Sequence, residues 1–175
     1  MEIYLIRHTS VNVPKGTCYG FTDVALKPSF RQEATATRLR LRGLTFDRIY
    51  TSPLSRAAKL AAYCGFPQAV RDARLKEMNM GEWEMQRFDD ITDERLQTWY
   101  DDYLNQPATG GESFRQLYAR VAAFLDELRR QPLHRIAIFA HGGVLVCARA
   151  YAGDIPVEKG FEHLTPYGGV VKINL

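Results

Sequence analysis

The sequence predicts an α/β fold, a three-layer sandwich whose mostly parallel central sheet carries helices on both faces. Two observations favour this fold. Short apolar runs typical of strands alternate along the chain with longer segments of helical periodicity. Two of the runs, Ile3–Ile6 and Ile136–Ala140, are apolar at every position, which is typical of buried strands. The 175 residues, 46% of them hydrophobic and 25% charged, are expected to form one domain over residues 1–175.

In the first half of the chain, glycine, proline and capping residues set the boundaries of the elements. Ser29 is a suitable N-cap, and Gly43 a suitable stop, for the helix between them. Pro53 suits the first turn of another helix, which Gly65 ends. The predicted elements are a strand at 2–7, a long loop at 9–28, a helix at 29–42, a strand at 46–50, a helix at 53–65 and a strand at 69–71.

In the second half, Gly110–Gly111 breaks the chain before a segment with apolar residues at helical spacing, among them Phe114, Leu117 and Val121. A fully apolar strand and a short helix follow this amphipathic helix. The predicted elements are an irregular stretch at 77–92, a helix at 93–104, a helix at 112–130, a strand at 134–140, a helix at 143–151 and a strand at 170–173.

Two of the four histidines come directly after apolar strands: His8, preceded by Arg7, and His141. Because ligands of α/β sheets bind at the carboxyl ends of the strands, we expect these residues to share one rim. Arg56 lies in the first turn of the helix that follows the second strand, within reach of the same rim. The N–H groups of Gly142–Gly143 at a helix start favour anions, and guanidinium forks suit phosphate oxygens. The pattern predicts a phosphate site.

A phosphate-transferring site also needs an acid, and the segment from 75 to 84 offers three carboxylates. Glu77, Glu82 and Glu84 all lie close to Met and Trp residues along the chain. Burial beside such side chains raises the pKa of a carboxyl group and suits it to general acid catalysis. Spacing alone does not choose among the three.

Composition limits the classes of partner. The net charge is +3, and the nearest approach to a basic cluster, Arg38, Arg40 and Arg42, is expected to be a solvated helix face, so no nucleic-acid partner is predicted. No apolar stretch reaches the roughly 18 residues that a spanning helix needs. Three widely spaced cysteines and the absence of CxxC or His-rich spacing indicate neither disulfides nor a metal site. We expect a cytoplasmic protein with no membrane partner, no metal and no cofactor.

Five groups of residues occur in a characteristic order. They are Arg-His-Thr at 7–9, Thr-Ser-Pro-Leu-Ser-Arg-Ala at 51–57, Leu-Lys-Glu at 75–77 with Gly-Glu-Trp-Glu at 81–84, Gly-Gly-Glu-Ser at 110–113, and His-Gly-Gly-Val at 141–144. Together they resemble the motifs of the histidine phosphatase superfamily, along the whole chain. The resemblance implies the phosphoglycerate-mutase-like fold.

The resemblance also implies a role for each residue of the rim. By position, His8 is the nucleophile and Glu77 the proton donor. The phosphoryl group is bound by Arg7, Arg56 and His141. Substrate contacts are implied for Tyr19 and Gly20. The implied activity is metal-independent hydrolysis of a small-molecule phosphate monoester through a phosphohistidine intermediate.

Within the superfamily, residues 7–9 and 16–23 are most similar to the alpha-ribazole phosphatase branch. This implies alpha-ribazole 5′-phosphate, late in cobalamin nucleotide-loop assembly, as the substrate. The chain departs from the superfamily pattern at Thr9 and Met85, where Gly is common, at Pro14, where Asn is common, and at Leu60, where Thr is usual. Asn12 is a candidate substitute for the missing Asn.

Three other functions stay open: a phosphatase for another small phosphorylated metabolite, a phosphoglycerate-mutase-type phosphotransferase, and a catalytically dead phosphate-binding module. The chain lacks the long mid-chain insertion associated with mutases, which favours hydrolysis. A dead binder has no use for both a nucleophile and an acid. The expected assembly is a monomer or a homodimer.

Overall fold

A computed structural model describes residues 1–175, and its centre is one five-stranded sheet. The strands are β1 (Glu2–Arg7), β2 (Arg48–Thr51), β3 (Val70–Arg71), β4 (Arg135–Ala140) and β5 (Val170–Asn174). Their order across the sheet is β3-β2-β4-β1-β5. All neighbouring pairs are parallel except β1 and β5, which are antiparallel. The predicted mostly parallel sheet is confirmed.

Helices cover both faces of this sheet, as predicted. The α-helices are α1 (Phe30–Arg40), α2 (Ser55–Tyr63), α3 (Arg95–Asp101), α4 (Phe114–Arg129) and α5 (Gly142–Tyr151). Short 3₁₀ helices occur at Ala73–Leu75, Gly81–Trp83, Phe88–Asp90 and Val157–His163. The longest helix, α4, has 16 residues, and no helix combines the length and the apolar character that crossing a membrane requires.

Three details differ from the sequence prediction. Ser29 occupies the N-cap position of α1 but makes no capping hydrogen bond, because its backbone is already helical (φ −68°, ψ −2°) and not extended. Its hydroxyl instead donates to the Glu33 carboxylate at 2.6 Å. Helix α3 ends early because the Asp102 carboxylate accepts hydrogen bonds from Asn105 and turns the chain. The 3₁₀ helix at Val157–His163 is not predicted, since that segment has no clear apolar period.

Alternating residues of the two central strands build an apolar core on each face of the sheet. On one face, Leu5 and Ile138 pack with residues of α4 and α5. On the other face, Ile6 and Phe139 pack with residues of α1 and α2. The register places Leu5 opposite Ile138 and Ile6 opposite Phe139, so the pleat sends each pair to one face. Burial on both faces fixes the strand ends in space.

The carboxyl ends of β1, β4 and β2 lie side by side and form the rim of the sheet. The His8 N–H donates to the Ala140 carbonyl at 3.0 Å, and the Ser52 N–H donates to the Phe139 carbonyl at 2.9 Å. The residues immediately after the strands therefore keep the register of the sheet. As a result, the rim carries His8, His141 and Ser52 from three adjacent strands.

Candidate active site

His8 lies at the centre of the rim with its ring orientation fixed. Its Nδ1 is 2.7 Å from the Thr9 carbonyl oxygen, and the residue is 2% exposed. Because a carbonyl only accepts hydrogen bonds, Nδ1 must carry the proton of the neutral ring. The Nε2 atom of His8 then keeps its lone pair. His8 lines a cavity, so a ligand in that cavity can reach the ring.

The surroundings of His8 favour its neutral form. Burial lowers the pKa of His8 to about 3, and the positive charges of Arg56 and Arg7 act in the same direction. The hydrogen bond to Thr9 raises the pKa but does not outweigh these effects. At neutral pH the ring is therefore an uncharged imidazole beside two cations.

Two guanidinium groups flank His8. Arg56 is fully buried and donates to the carbonyl oxygens of Thr22 at 2.9 Å and Gly20 at 2.6 Å. Arg7 donates to the carbonyl oxygen of Thr165 at 2.6 Å. The buried Nε atoms of both arginines have no hydrogen-bond partner in the protein. These N–H groups are suited to phosphoryl oxygens, which accept several charge-assisted hydrogen bonds.

His141 lies against His8, with 5.2 Å between the ring centroids. Burial and the charge of Arg56 lower the pKa of His141 well below its usual value. Its Nε2 is 2.8 Å from Ser52 Oγ, which accepts a hydrogen bond from the Leu54 N–H. The Ser52 hydroxyl proton is thus free to donate to Nε2, which leaves the ring proton on Nδ1. Nδ1 of His141 is buried without a protein partner and can donate to a ligand oxygen.

Glu77 is the carboxylate that the structure brings to the cavity. Its Oε2 accepts from the Gly143 N–H at 3.1 Å, and its Oε1 accepts from the Met78 N–H at 3.0 Å. A Cβ atom at position 143 would lie only 2.5 Å from Oε1, so glycine is required there for the carboxylate to reach the start of α5. Glu77, Gly142 and Gly143 all line the cavity.

The other two candidate acids have different surroundings. Glu82 is exposed. Glu84 accepts backbone hydrogen bonds from Phe21 at 2.6 Å and Thr22 at 2.7 Å, and so fixes the long loop. Burial raises the pKa of Glu84, but these hydrogen bonds outweigh it, and the net pKa is lowered. Neither side chain lines the cavity.

The cavity beside His8 has a volume of about 220 Å³ and is mainly apolar, with nine hydrophobic residues among the fifteen that line it. The titratable residues that line it are Arg7, His8, Cys18, Tyr19 and Glu77. The larger apolar side chains are Met78, Met80, Phe88, Trp99, Leu117, Phe161 and Leu164. A phosphate next to an apolar chamber suits a phosphate ester of an organic alcohol.

Only some of the predicted site residues line the cavity. Tyr19 lines the cavity, whereas Arg56 and His141 are buried next to His8 without lining it. Gly20 does not line the cavity either, since its carbonyl holds Arg56 and its Cα lies against the Met78 carbonyl. Asn12 is exposed and outside the cavity.

Sequence reasoning misses the residues that precede β5. The ring of Tyr167 lies under Arg7, with 4.1 Å between the guanidinium carbon and the ring centroid. The Tyr167 hydroxyl is 2.9 Å from that of Tyr19, which lines the cavity. Phe161 and Leu164 line the cavity from the same segment. The aromatic residue before Gly168–Gly169 was the available signal, because a glycine pair permits close approach of the backbone.

The fold and the rim define an enzyme that binds phosphoryl groups: a buried neutral histidine between two guanidinium groups at the carboxyl ends of parallel strands. Residues 3–175 match the sequence model of the histidine phosphatase superfamily (branch 1), and the chain belongs to this family. It is a phosphoric monoester hydrolase.

Similar proteins carry more than one name. The chain is 32% identical over 155 residues to the adenosylcobalamin/alpha-ribazole phosphatase of Salmonella typhimurium, with 83% of this chain and 76% of the relative covered. Its structure is similar to the alpha-ribazole phosphatase from Shigella flexneri, with a TM-score of 0.90, 27% identity and coverage of 100% and 91%. It is also similar to the phosphoglycerate mutase from Thermus thermophilus, with a TM-score of 0.80, 26% identity and coverage of 99% and 93%.

We expect the His8 ring to stay neutral between pH 8 and pH 5 in the protein without phosphate. NMR of the ring signals should show constant shifts over this range, while a histidine-containing peptide in the same buffers titrates near pH 6.5.

The unfolded chain also binds this proton near pH 6.5, whereas the native ring does so near pH 3. The free energy of unfolding should therefore fall between these values as the pH is lowered, less steeply in His8→Asn. A native His8 midpoint above pH 5 would contradict this.

Proposed function

We propose that the protein is a metal-independent phosphatase that works through a phosphohistidine at Nε2 of His8. The observation that carries the proposal is the tautomer of His8, which the Thr9 carbonyl fixes with the lone pair on Nε2. That lone pair attacks phosphorus in line while the ester P–O bond breaks. Arg7 and Arg56 neutralise the charge on the phosphoryl oxygens, and the Thr9 carbonyl stabilises the positive charge that the ring acquires.

Glu77 completes the reaction in this proposal. An alkoxide is a poor leaving group, so a protonated Glu77 donates its proton as the P–O bond breaks. In the second step, the Glu77 carboxylate takes a proton from water as the water oxygen attacks phosphorus. The P–N bond breaks, and inorganic phosphate and neutral His8 are released.

We further propose alpha-ribazole 5′-phosphate as the substrate, in cobalamin biosynthesis. The names of two similar proteins and the residues at 16–23 support this choice. The leaving alcohol carries an apolar benzimidazole base, and Phe88, Trp99 and Phe161 offer aromatic surfaces for it. Phosphoglycerate carries a carboxylate instead. The cavity lining provides no cation other than Arg7 to bind that group, which argues against a mutase.

The covalent intermediate is directly testable. After rapid acid-free quenching of a reaction with ³²P-labelled 4-nitrophenyl phosphate, the protein should carry label that is stable in base and labile in acid. His8→Asn should lose both label and turnover, by about 10⁴-fold or more, because no other group replaces the nucleophile. His134→Asn, a variant of an exposed histidine, is the matched control and should keep both. Label on serine, cysteine or aspartate, or EDTA inactivation reversed by magnesium, would refute the mechanism.

The acid is tested through the leaving group. Glu77→Gln should slow hydrolysis of an alkyl phosphate by about 10²–10⁴-fold, because the alkoxide then leaves unprotonated. The pre-steady-state burst of 4-nitrophenolate should change by less than about tenfold, since this phenolate leaves without a proton. Glu82→Gln is the control, because Glu82 is exposed, and should behave like the wild type. Equal losses on both substrates, or a selective loss in Glu82→Gln, would contradict the assignment.

Substrate choice is tested with a panel of alpha-ribazole 5′-phosphate, 3-phosphoglycerate, phosphoserine, glucose 6-phosphate and AMP. We expect kcat/KM for alpha-ribazole 5′-phosphate to exceed the values for the carboxylate-bearing substrates by about 10²-fold or more. Trp99→Ala should reduce this preference by about tenfold, because it removes one aromatic wall. A kcat/KM for 3-phosphoglycerate as high as that for alpha-ribazole 5′-phosphate would exclude the proposed substrate.

A further inference from the structure

Arg120 on α4 has every donor of its guanidinium group engaged. Nε donates to Glu112 Oε1 at 2.8 Å, and Nη2 donates to Glu112 Oε2 at 2.9 Å. The remaining donors reach backbone carbonyl oxygens of Arg74 at 2.6 Å, Lys76 at 2.7 Å and Glu77 at 2.8 Å. These are five hydrogen bonds, the full capacity of an arginine side chain. The side chain is only 18% exposed.

The carbonyl groups of Lys76 and Glu77 belong to the segment that carries the proposed acid, and that of Arg74 belongs to the 3₁₀ helix just before it. Glu112 extends the same contact, because its Oε2 also accepts from the Asn79 N–H at 2.8 Å, two residues beyond Glu77. The Arg120–Glu112 pair therefore holds the backbone on both sides of Glu77. Neither Arg120 nor Glu112 lines the cavity, so neither is placed to touch a substrate.

The backbone of this segment has little support from secondary structure, although Leu75, Met78 and Met80 are buried in the core. It runs between the 3₁₀ helices at Ala73–Leu75 and Gly81–Trp83 and belongs to no strand. The carbonyl oxygens of Lys76 and Glu77 accept hydrogen bonds from Arg120 and from no backbone N–H group. The position of the Glu77 backbone thus depends on the guanidinium group more than on secondary structure.

We propose that Arg120 is a positioning residue for proton transfer, which sets Glu77 at the distance from the leaving oxygen that general acid catalysis needs. The inference rests on the acid role given to Glu77 in the proposed function. A proton donor must lie within hydrogen-bond reach of the leaving oxygen, and a displacement of about 1 Å can cost on the order of 10² in rate. Arg120 acts through Glu77 and has no role in the attack of His8.

The test is Arg120→Lys. A lysine cannot make the bidentate contact with Glu112 and reach three carbonyl groups at once. We expect hydrolysis of an alkyl phosphate to fall by about 30- to 100-fold, and the 4-nitrophenolate burst to change by less than about threefold, since the phenolate needs no acid. In a Glu77→Gln background, Arg120→Lys should add less than about twofold. Arg115→Lys is the matched control on the same helix, because the one hydrogen bond of the Arg115 guanidinium goes to the exposed Asn105, and both rates should be unchanged.

The opposite results are distinct. Equal losses on the two substrates, a multiplicative effect with Glu77→Gln, or no loss at all would overturn the inference. Circular dichroism and the thermal midpoint report whether Arg120→Lys folds. If it does not, Glu112→Gln weakens the same contact and should show the same selective loss on the alkyl phosphate. If Glu77→Gln itself shows no selective loss while phosphohistidine still forms, the acid assignment fails first, and this inference fails with it.

Discussion

The burial of Arg56 is the constraint on which the rest of the site depends. Removing a guanidinium group from water costs several kcal/mol unless hydrogen bonds replace its hydration. Here the carbonyl oxygens of Gly20 and Thr22 replace part of it, in place of a contacting carboxylate. A carboxylate in that position would neutralise the charge that a phosphoryl group needs. Carbonyl dipoles keep the charge available, and the same charge adds to burial in lowering the pKa of His8.

This arrangement requires order in the long loop before α1, and two acidic side chains provide it. Glu84 accepts from the backbone of the loop at Phe21 and Thr22. Asp23 accepts from the backbone N–H and the hydroxyl of Ser55, the residue before Arg56. Helix α2 and this loop therefore stabilise each other. Asp23 of the loop accepts hydrogen bonds at the start of α2, and Arg56 of α2 donates to the loop carbonyl oxygens. Glu84 and Asp23 thus stabilise the loop, whereas Glu77 lines the cavity.

The sequence predicts the sheet and most helices because strong apolar periods and glycine breaks mark them. It also brings Arg7, His8 and His141 to one rim, since strand ends in a parallel sheet must meet. It does not separate Glu77 from its neighbours, because burial and hydrogen bonding at that segment depend on Gly143, 66 residues away. The sequence does not predict that Phe161 and Leu164 line the cavity either, because this too depends on contacts with distant residues. Contacts at such distances leave no local pattern.

The contact between Arg7 and the segment before β5 has a consequence for the order in which the molecule matures. Arg7 is held by Thr165, 158 positions further along the chain. Until that segment is in place, His8 can be present on a formed strand without Arg7 aligned beside it. The complete site therefore depends on a contact between the first strand and a segment near the other end of the chain. Local detachment of residues 157–167 would silence the enzyme while its sheet stays intact.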